Sequence, residues 1–438
     1  MKGTFLISLL FSKLTSLILK VTKLSGGTSV IGKIVLKFCP DFLSHANKYI
    51  RTKINITGTN GKTTTSGLIS HILKRSGHLV INNALGANMI QGVVNAIAVD
   101  LNPMKTYDYS VIESDEAFLE VIYDTFDADY LLVTNLFRDQ LDRYGELATT
   151  KRFIQNGIDK KPNLTLVLNA DDPLVASFEG GENRIYFGVE EVNYADKLQP
   201  PKSHTEEAFN CPCGKPLNYD KKFYAQQGHY YCECGYHRPE PQYKAVVTLY
   251  KDRSVLSVNG ENYEVPLVGL FNAYNALGAI ALCKELGVSM ADLQKYLKSF
   301  KVAFGRSEIK TLNGKRTLIQ LIKNPIGANE VLKTVNKDSD ILIAINDNYA
   351  DGRDVSWLWD AEFELLSDVN KSIVVSGTRA EDMALRLKYA GVDTNKIKVI
   401  PDLETAVEYA GRLTGKTVTI LPTYTVLLKL DKMKQLTK

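Results

Sequence analysis

Three groups of residues have types and spacings that could do chemistry. The first is Gly58-Thr59-Asn60-Gly61-Lys62-Thr63-Thr64. Small residues let backbone N–H groups close on an anion, and a helix starting there adds a favourable dipole. Lys62 would supply a point charge for the β- and γ-phosphates of a nucleotide, and Thr63 a hydroxyl for Mg²⁺. A strict phosphate loop has glycine where Ile56 stands, so only the shorter G-x-x-G-K-T pattern holds. The plain alternative is an incidental turn. Glu113 closes a later apolar run, where a Mg²⁺ ligand is needed, unless it is merely a solvated strand-end carboxylate.

The second group is Cys211-Pro212-Cys213 and Cys232-Glu233-Cys234, with 18 residues between the pairs. Four thiolates in two knuckles suit tetrahedral Zn²⁺. Gly214 and Gly235 follow the pairs and let each turn tighten. A redox pair is the alternative, and the C-x-C spacing is tighter than the usual C-x-x-C. The third group is the loop Asn346–Trp357, which holds Asp347, Asp351, Arg353 and Asp354. Its residue types alone fit a solvated or metal-binding loop at a strand end.

The elements that must position these groups are legible around them. Ile54-Asn55-Ile56-Thr57 reads as a strand, and Ser66–Arg75 as a helix with Leu68, Ile69, Ile72 and Leu73 on one face. Apolar runs at Leu79–Ile81, Tyr109–Ile112, Tyr130–Val133 and Leu164–Leu168 predict further strands, each ending in polar residues. Strands alternating with helices imply a doubly wound parallel sheet, whose ligands bind at the carboxyl ends of the strands. Asn259-Gly260 and Asn313-Gly314 predict hairpin turns. Ile341–Ile345 and Ile373–Val375 predict buried strands of a further α/β unit.

The whole chain sets bounds. It has 438 residues, enough for two or three domains, and an ordinary 45% apolar and 23% charged composition. Lys plus Arg is 53 against 49 acids, a net charge of +4, too mild to argue for nucleic acid. Clustered cysteines point to a reducing compartment, hence the cytoplasm. Phe5, Leu6, Leu9, Leu10, Leu17 and Ile18 recur at helical spacing, predicting an amphipathic N-terminal helix that packs on the body or rests on the inner membrane face. A cleaved signal or anchor is the alternative. No later segment is long and apolar enough to span a bilayer.

Taken together, Gly58–Thr65, the strand ending at Glu113, Thr134-Asn135, Asp139–Gly145 and Asn169–Pro173 resemble the central domain of the Mur ligases. Members of that family use ATP to convert a carboxylate to an acyl phosphate, which an amine attacks. Gly269–Ala276 resembles the family's HN-x-x-N segment, implying that Asn272 and Asn275 help hold the nucleotide. Phe304-Gly305-Arg306 resembles its P-G-R segment, implying that Arg306 faces the phosphates. There are departures: Gln140 replaces a histidine, Phe271 replaces the histidine of HN, and Gln320–Pro325 lacks a ribose-binding aspartate. Lys151 lies near a lysine that many members carbamylate, although an ordinary surface-helix lysine explains it equally well.

The cysteine insert and the NDN-x-x-DGRD-x-SW loop narrow the resemblance to the MurT family, synthetase subunits of lipid II isoglutaminyl synthase. This implies amidation of the D-glutamate α-carboxylate of the lipid II stem peptide, with ATP, Mg²⁺ and Zn²⁺. It also implies a GatD-like glutaminase partner whose Cys–His pair borrows an acid from this chain. Motif position makes that acid Asp354, with Asp351 and Asp347 as rivals. A stand-alone Mur-type amino-acid ligase and a nucleotide-binding scaffold are the competing readings. The expected architecture is α/β: an N-terminal helical segment (1–48), a Mur-ligase-like central domain (49–300) with a phosphate loop, a parallel sheet and a zinc ribbon near 205–240, and a second α/β domain (301–438).

Overall fold

The computed structural model describes residues 2–21, 27–83, 87–137, 147–195, 209–301 and 306–437. They form two compact units, one mainly of residues up to Lys301 and one mainly of residues after it.

The first unit is built on nine strands: β1 (Ile50–Thr57), β2 (Val80–Asn82), β3 (Tyr107–Glu113), β4 (Tyr130–Val133), β5 (Thr165–Asn169), β6 (Asn183–Tyr194), β9 (Tyr243–Leu249), β10 (Ser254–Val258) and β11 (Glu261–Val265). A separate hairpin, β7 (Asn218–Tyr224) and β8 (Gln227–Tyr231), lies between β6 and β9 in the chain. The sheet order is β11-β10-β9-β6-β5-β4-β1-β3-β2. The pairs from β2 through β9 are parallel, and β10 and β11 add an antiparallel edge. β1 lies inside the sheet between β4 and β3, and Ile54 and Ile56 are wholly buried, as a parallel strand covered on both faces requires. Asn259 and Gly260 both take positive φ, 49° and 88°, the turn that matches strand twist between β10 and β11.

Helix α1 (Lys2–Val21), α2 (Gly27–Phe38), α3 (Phe42–Ala46), α4 (Lys62–Arg75) and α5 (Ile90–Asp100) pack around the β1–β3 side. The apolar stripe of α4 (Leu68, Ile69, Ile72, Leu73) is fully buried. The N-terminal helix differs from a one-faced amphipath. Phe5 and Leu9 are buried, whereas Leu6, Leu10 and Leu17 are exposed. Phe5 stacks on Tyr49 at 5.8 Å and lies 5.0 Å from Phe42. Among the described residues no helix is long and apolar enough to cross a membrane.

The cysteine ribbon is held on the sheet by buried polar groups. Asp171, wholly buried after β5, accepts from Arg238 Nε at 2.6 Å, Tyr274 Oη at 2.7 Å and the Val189 N–H at 2.7 Å. Asp172 accepts from the Leu136, Leu174 and Val175 N–H groups and from Gln226 Nε2. Burial pushes its carboxyl up to about 6, against those four donors.

The second unit contains β12 (Arg306–Leu312), β13 (Lys315–Gln320), β14 (Asp340–Ala344), β15 (Ile373–Ser376), β16 (Ile397–Val399), β17 (Thr417–Pro422) and β18 (Leu436–Thr437). Their order is β16-β15-β14-β17-β13-β12-β18, with parallel pairing from β16 to β13. Alternate residues feed two cores. Ile341, Ile343, Ile373 and Val375 meet Met383 and Leu387, while Leu342, Ala344 and Val374 meet Ala406, Val407 and Ala410. That alternation makes the unit doubly wound.

Candidate active site

The phosphate loop leaves β1 at Thr57 and enters α4 at Lys62. Gly58 and Gly61 have φ of +120° and +89°, conformations that side chains disfavour. A Cβ at Gly58 would run into the Thr134 hydroxyl, and one at Gly61 into the Asn275 amide. The end of β4 clamps the loop. Asn135 O accepts from the Thr59 N–H (2.9 Å), Asn135 Oδ1 from the Asn60 N–H (2.9 Å), and the Thr134 hydroxyl donates to Asn60 O (2.7 Å). These bonds fix the path of the loop into the N-terminus of α4, the end of a helix that favours an anion.

Lys62 is buried, and its ammonium donates to Gly58 O (2.5 Å) and to Glu116 Oε1 (2.8 Å). Burial pushes the Glu116 carboxyl up, and the Lys62 charge opposes that shift. Glu113 stands opposite Ile56 in the β1–β3 register and is 1% exposed. Asn83 fixes its backbone on both sides, with two 2.8 Å bonds. Glu113, Asp115 and Glu116 thus sit buried in one turn at a strand end, a hard-oxygen environment suited to Mg²⁺. Thr59 and Thr64 are buried, Thr63 half-buried.

Helix Leu270–Glu285 brings its polar residues to the same loop. Asn275 abuts Gly61, and its Nδ2 lies 3.4 Å from Asn272 Oδ1; Asn272 Nδ2 donates to Val268 O at 2.8 Å. The structure therefore gathers Gly58–Thr64, Glu113, Asn272 and Asn275. Arg306 opens β12 in the other unit, and its side chain lies outside the described residues, as do Phe304, Gly305 and the whole run Asp139–Gly145 with Gln140. Lys151 is half-buried on helix Leu147–Asp159, and burial lowers its pKa. Glu116 and Asn83 were missed in the sequence. An acid three residues beyond Glu113 was the available signal for the first.

In the acidic loop the three aspartates differ. Asp347 binds Thr378 Oγ1 (2.8 Å) and Arg379 Nε (2.9 Å), which hold its pKa low. Asp351 is buried and accepts from both the N–H (2.7 Å) and the hydroxyl (2.5 Å) of Thr425; burial pushes its pKa up. Asp354 is half-buried and accepts the Ser356 N–H through Oδ1 at 2.8 Å. Among the described residues its Oδ2 makes no hydrogen bond.

The four cysteine sulfurs lie within 4.8 Å of one another, with Cys211–Cys234 at 3.4 Å and Cys213–Cys232 at 3.7 Å. Tetrahedral Zn–S bonds of about 2.3 Å place sulfurs about 3.8 Å apart, so the set fits such an ion. Each knuckle closes through its glycine: Gly214 N–H to Cys211 O (2.8 Å) and Gly235 N–H to Cys232 O (3.0 Å), with φ near 90° at both.

Comparison with known proteins agrees with this arrangement. The Mur ligase middle domain model matches residues 56–283, and the MurT ligase C-terminal model matches residues 321–427. The chain is 37% identical over 407 residues to the lipid II isoglutaminyl synthase (glutamine-hydrolyzing) subunit MurT of Staphylococcus aureus (strain COL), covering 92% of this chain and 91% of that one. It is 34% identical over 421 residues to the subunit of that name from Streptococcus pneumoniae (strain ATCC BAA-255 / R6), covering 94% and 93%. Among solved structures, a pseudomurein peptide ligase type C from Methanothermus fervidus superposes with a TM-score of 0.67 at 26% identity, covering 87% of this chain and 79% of that one. MurF from Acinetobacter baumannii shares the fold, with a TM-score of 0.62 at 16% identity over 91% and 80%.

Proposed function

This chain belongs to the Mur ligase family, in its MurT branch, and from that premise we propose that it is the ATP-dependent synthetase subunit that amidates lipid II in peptidoglycan synthesis. The observation that carries the reading is the clamped loop Gly58–Thr64, with Glu116 paired to its Lys62 and Asn275 against its Gly61. ATP binds with its β- and γ-phosphates on the loop N–H groups and Lys62. Glu113 and Thr63 would hold Mg²⁺, which would offset phosphate charge. Asn272 and Asn275 brace the nucleotide side of the loop, and the likeness of Phe304-Gly305-Arg306 to the family's P-G-R segment assigns Arg306 to the transferred phosphoryl group.

The D-glutamate α-carboxylate of the stem peptide attacks the γ-phosphorus, and the bond to ADP breaks. Ammonia then adds to the acyl carbon, loses a proton, and the C–O bond to phosphate breaks. The product is D-isoglutamine, ADP and phosphate. Lys62 and Arg306 stabilise charge that grows on the phosphoryl oxygens during transfer. Ammonia comes from a GatD-like glutaminase subunit, and Asp354 orients and stabilises that subunit's histidine. Cys211, Cys213, Cys232 and Cys234 would hold Zn²⁺ as a structural ion. The reaction runs at the cytoplasmic face of the membrane, without nucleic acid. On this reading the chain divides into an N-terminal helical segment to residue 48, a ligase domain from 49 to 300 and a second α/β domain from 301 to 438.

The test is mass spectrometry of lipid II incubated with this chain, ATP, Mg²⁺ and ammonium. Carboxylate-to-amide conversion that Lys62→Ala abolishes is the expected result. Consumption of a free amino acid instead, or ATP binding with no product even with the glutaminase and glutamine, would overturn it.

A further inference from the structure

The outer face of α1 is apolar. Leu6, Ile7, Leu10, Phe11, Leu14 and Leu17 are 39–71% exposed, with Leu10 highest, and they form one arc of the helix opposite Phe5 and Leu9. The inner face is already occupied, through Phe5 and Leu9 in the core and a Ser12–Ser8 bond of 2.7 Å. Neighbouring α2 adds Val30 and Phe38, 49% and 69% exposed. A helix apolar on both sides is expected deep in a core or at a lipid boundary. So large a contiguous patch marks an interaction surface.

Charge selects among the occupants. The first 40 residues hold Lys2, Lys13, Lys20, Lys23, Lys33 and Lys37 and no Asp or Glu. Lys33 and Lys37 are exposed on the same side of α2 as Val30 and Phe38. Two copies of this face would set lysine against lysine. Leucines flanked by lysines alone match an anionic bilayer, into which an apolar face sinks while the ammonium groups stay at the headgroups.

We propose that the α1–α2 face docks the enzyme on the surface of an anionic phospholipid bilayer. The proposal deepens the amidation reading, on which it rests for the lipid anchorage of the substrate. Docking confines enzyme and substrate to one plane, so a stem peptide carried by a lipid is met by lateral diffusion.

The test is flotation of the full chain with vesicles of equimolar phosphatidylglycerol and phosphatidylcholine, against phosphatidylcholine alone. Binding is expected to the anionic vesicles and to weaken as salt screens the lysines. The double variant Leu10→Glu with Leu14→Glu should reduce binding by at least about tenfold, since charge is expelled from the interfacial layer. Lys33→Glu with Lys37→Glu, which leaves the apolar contacts alone, should abolish the preference for anionic lipid. Both variants should amidate a water-soluble stem-peptide precursor as the parent does. Absence of flotation, or flotation unchanged in both variants, overturns the proposal. So does a dimer, or a complex with the glutaminase, that Leu10→Glu/Leu14→Glu dissociates while vesicles bind nothing. Loss of amidation of the soluble precursor by the parent chain, with flotation intact, would sink the amidation reading and leave the docking face standing.

Discussion

Replacing Lys62 by alanine should do more than remove a phosphate ligand. Lys62 and Glu116 form a 2.8 Å pair whose side chains are 10% and 6% exposed. Removing one partner of a buried pair costs about 3–5 kcal/mol, because the remaining charge has no compensation. For a unit of this size that is a fall in Tm of roughly 6–20 °C. The deficit should depend on pH. Burial already pushes Glu116 up, and Lys62 pulls it down; without Lys62 it rises further. A group whose folded pKa lies above its unfolded value favours folding most at low pH, and that contribution is lost as pH rises through the folded value. Lys62→Ala should therefore stand closer to the parent near about pH 5 than near about pH 8. Adding Glu116→Gln removes the stranded charge. The double variant should recover most of the Tm and its pH dependence, yet form no ADP. Thermal melts by circular dichroism at the two pH values, with single-turnover ADP formation, make the comparison. A Lys62→Ala protein as stable as the parent at the higher pH, or a double variant no better than the single one, would refute the paired-charge argument.

Other outcomes follow from the same geometry. Gly61→Ala places a side chain at φ +89° against Asn275, so about 1–2 kcal/mol of backbone strain alone should weaken ATP binding roughly tenfold by calorimetry; binding equal to the parent's would argue against that strain. Chelation, or Cys213→Ser, should release one zinc per chain and expose the ribbon to trypsin at Lys221 and Lys222; equal digestion of metal-free and metal-loaded protein would argue against a structural ion. Asp354→Asn should leave ammonium-dependent amidation intact while cutting the glutamine-dependent reaction with the partner on the order of 10³–10⁴-fold; equal loss of both would assign the residue elsewhere.

Much of this was visible in the residues, and the limits were physical. The strands were legible because Ile54–Thr57, Tyr130–Val133 and Ile341–Ile345 are apolar enough for burial on both faces. The phosphate loop and the knuckles were legible because positive φ forces glycine there. Glu116 was not, because its partner Lys62 lies 54 residues away and the contact exists only once β1 and β3 pair in register. The Asp171–Arg238–Tyr274 lock was hidden for the same reason, its members being 67 and 103 residues from Asp171. In α1 the apolar positions cover both faces, so periodicity could not say which one the core would take.

The cysteines argue for a division of labour. The chain has six, and none is poised as the nucleophile that glutamine hydrolysis needs. Cys283 is wholly buried, and burial pushes its thiol well above the ordinary range. Cys39 is buried too, and desolvation together with the nearby Asp41 carboxylate raises its pKa. A thiol attacks as thiolate, so both are poor candidates. The other four lie within one 4.8 Å cluster, where a metal would occupy every sulfur. This supports the proposal that a nitrogen donor made from glutamine comes from another chain. The proposed function assigns service of such a chain to Asp354, whose Oδ1 is tied to its own loop by the Ser356 N–H. On the proposed function, activation of the carboxylate and supply of the amine fall to different subunits, and any variant that uncouples them should spare the ammonium reaction first.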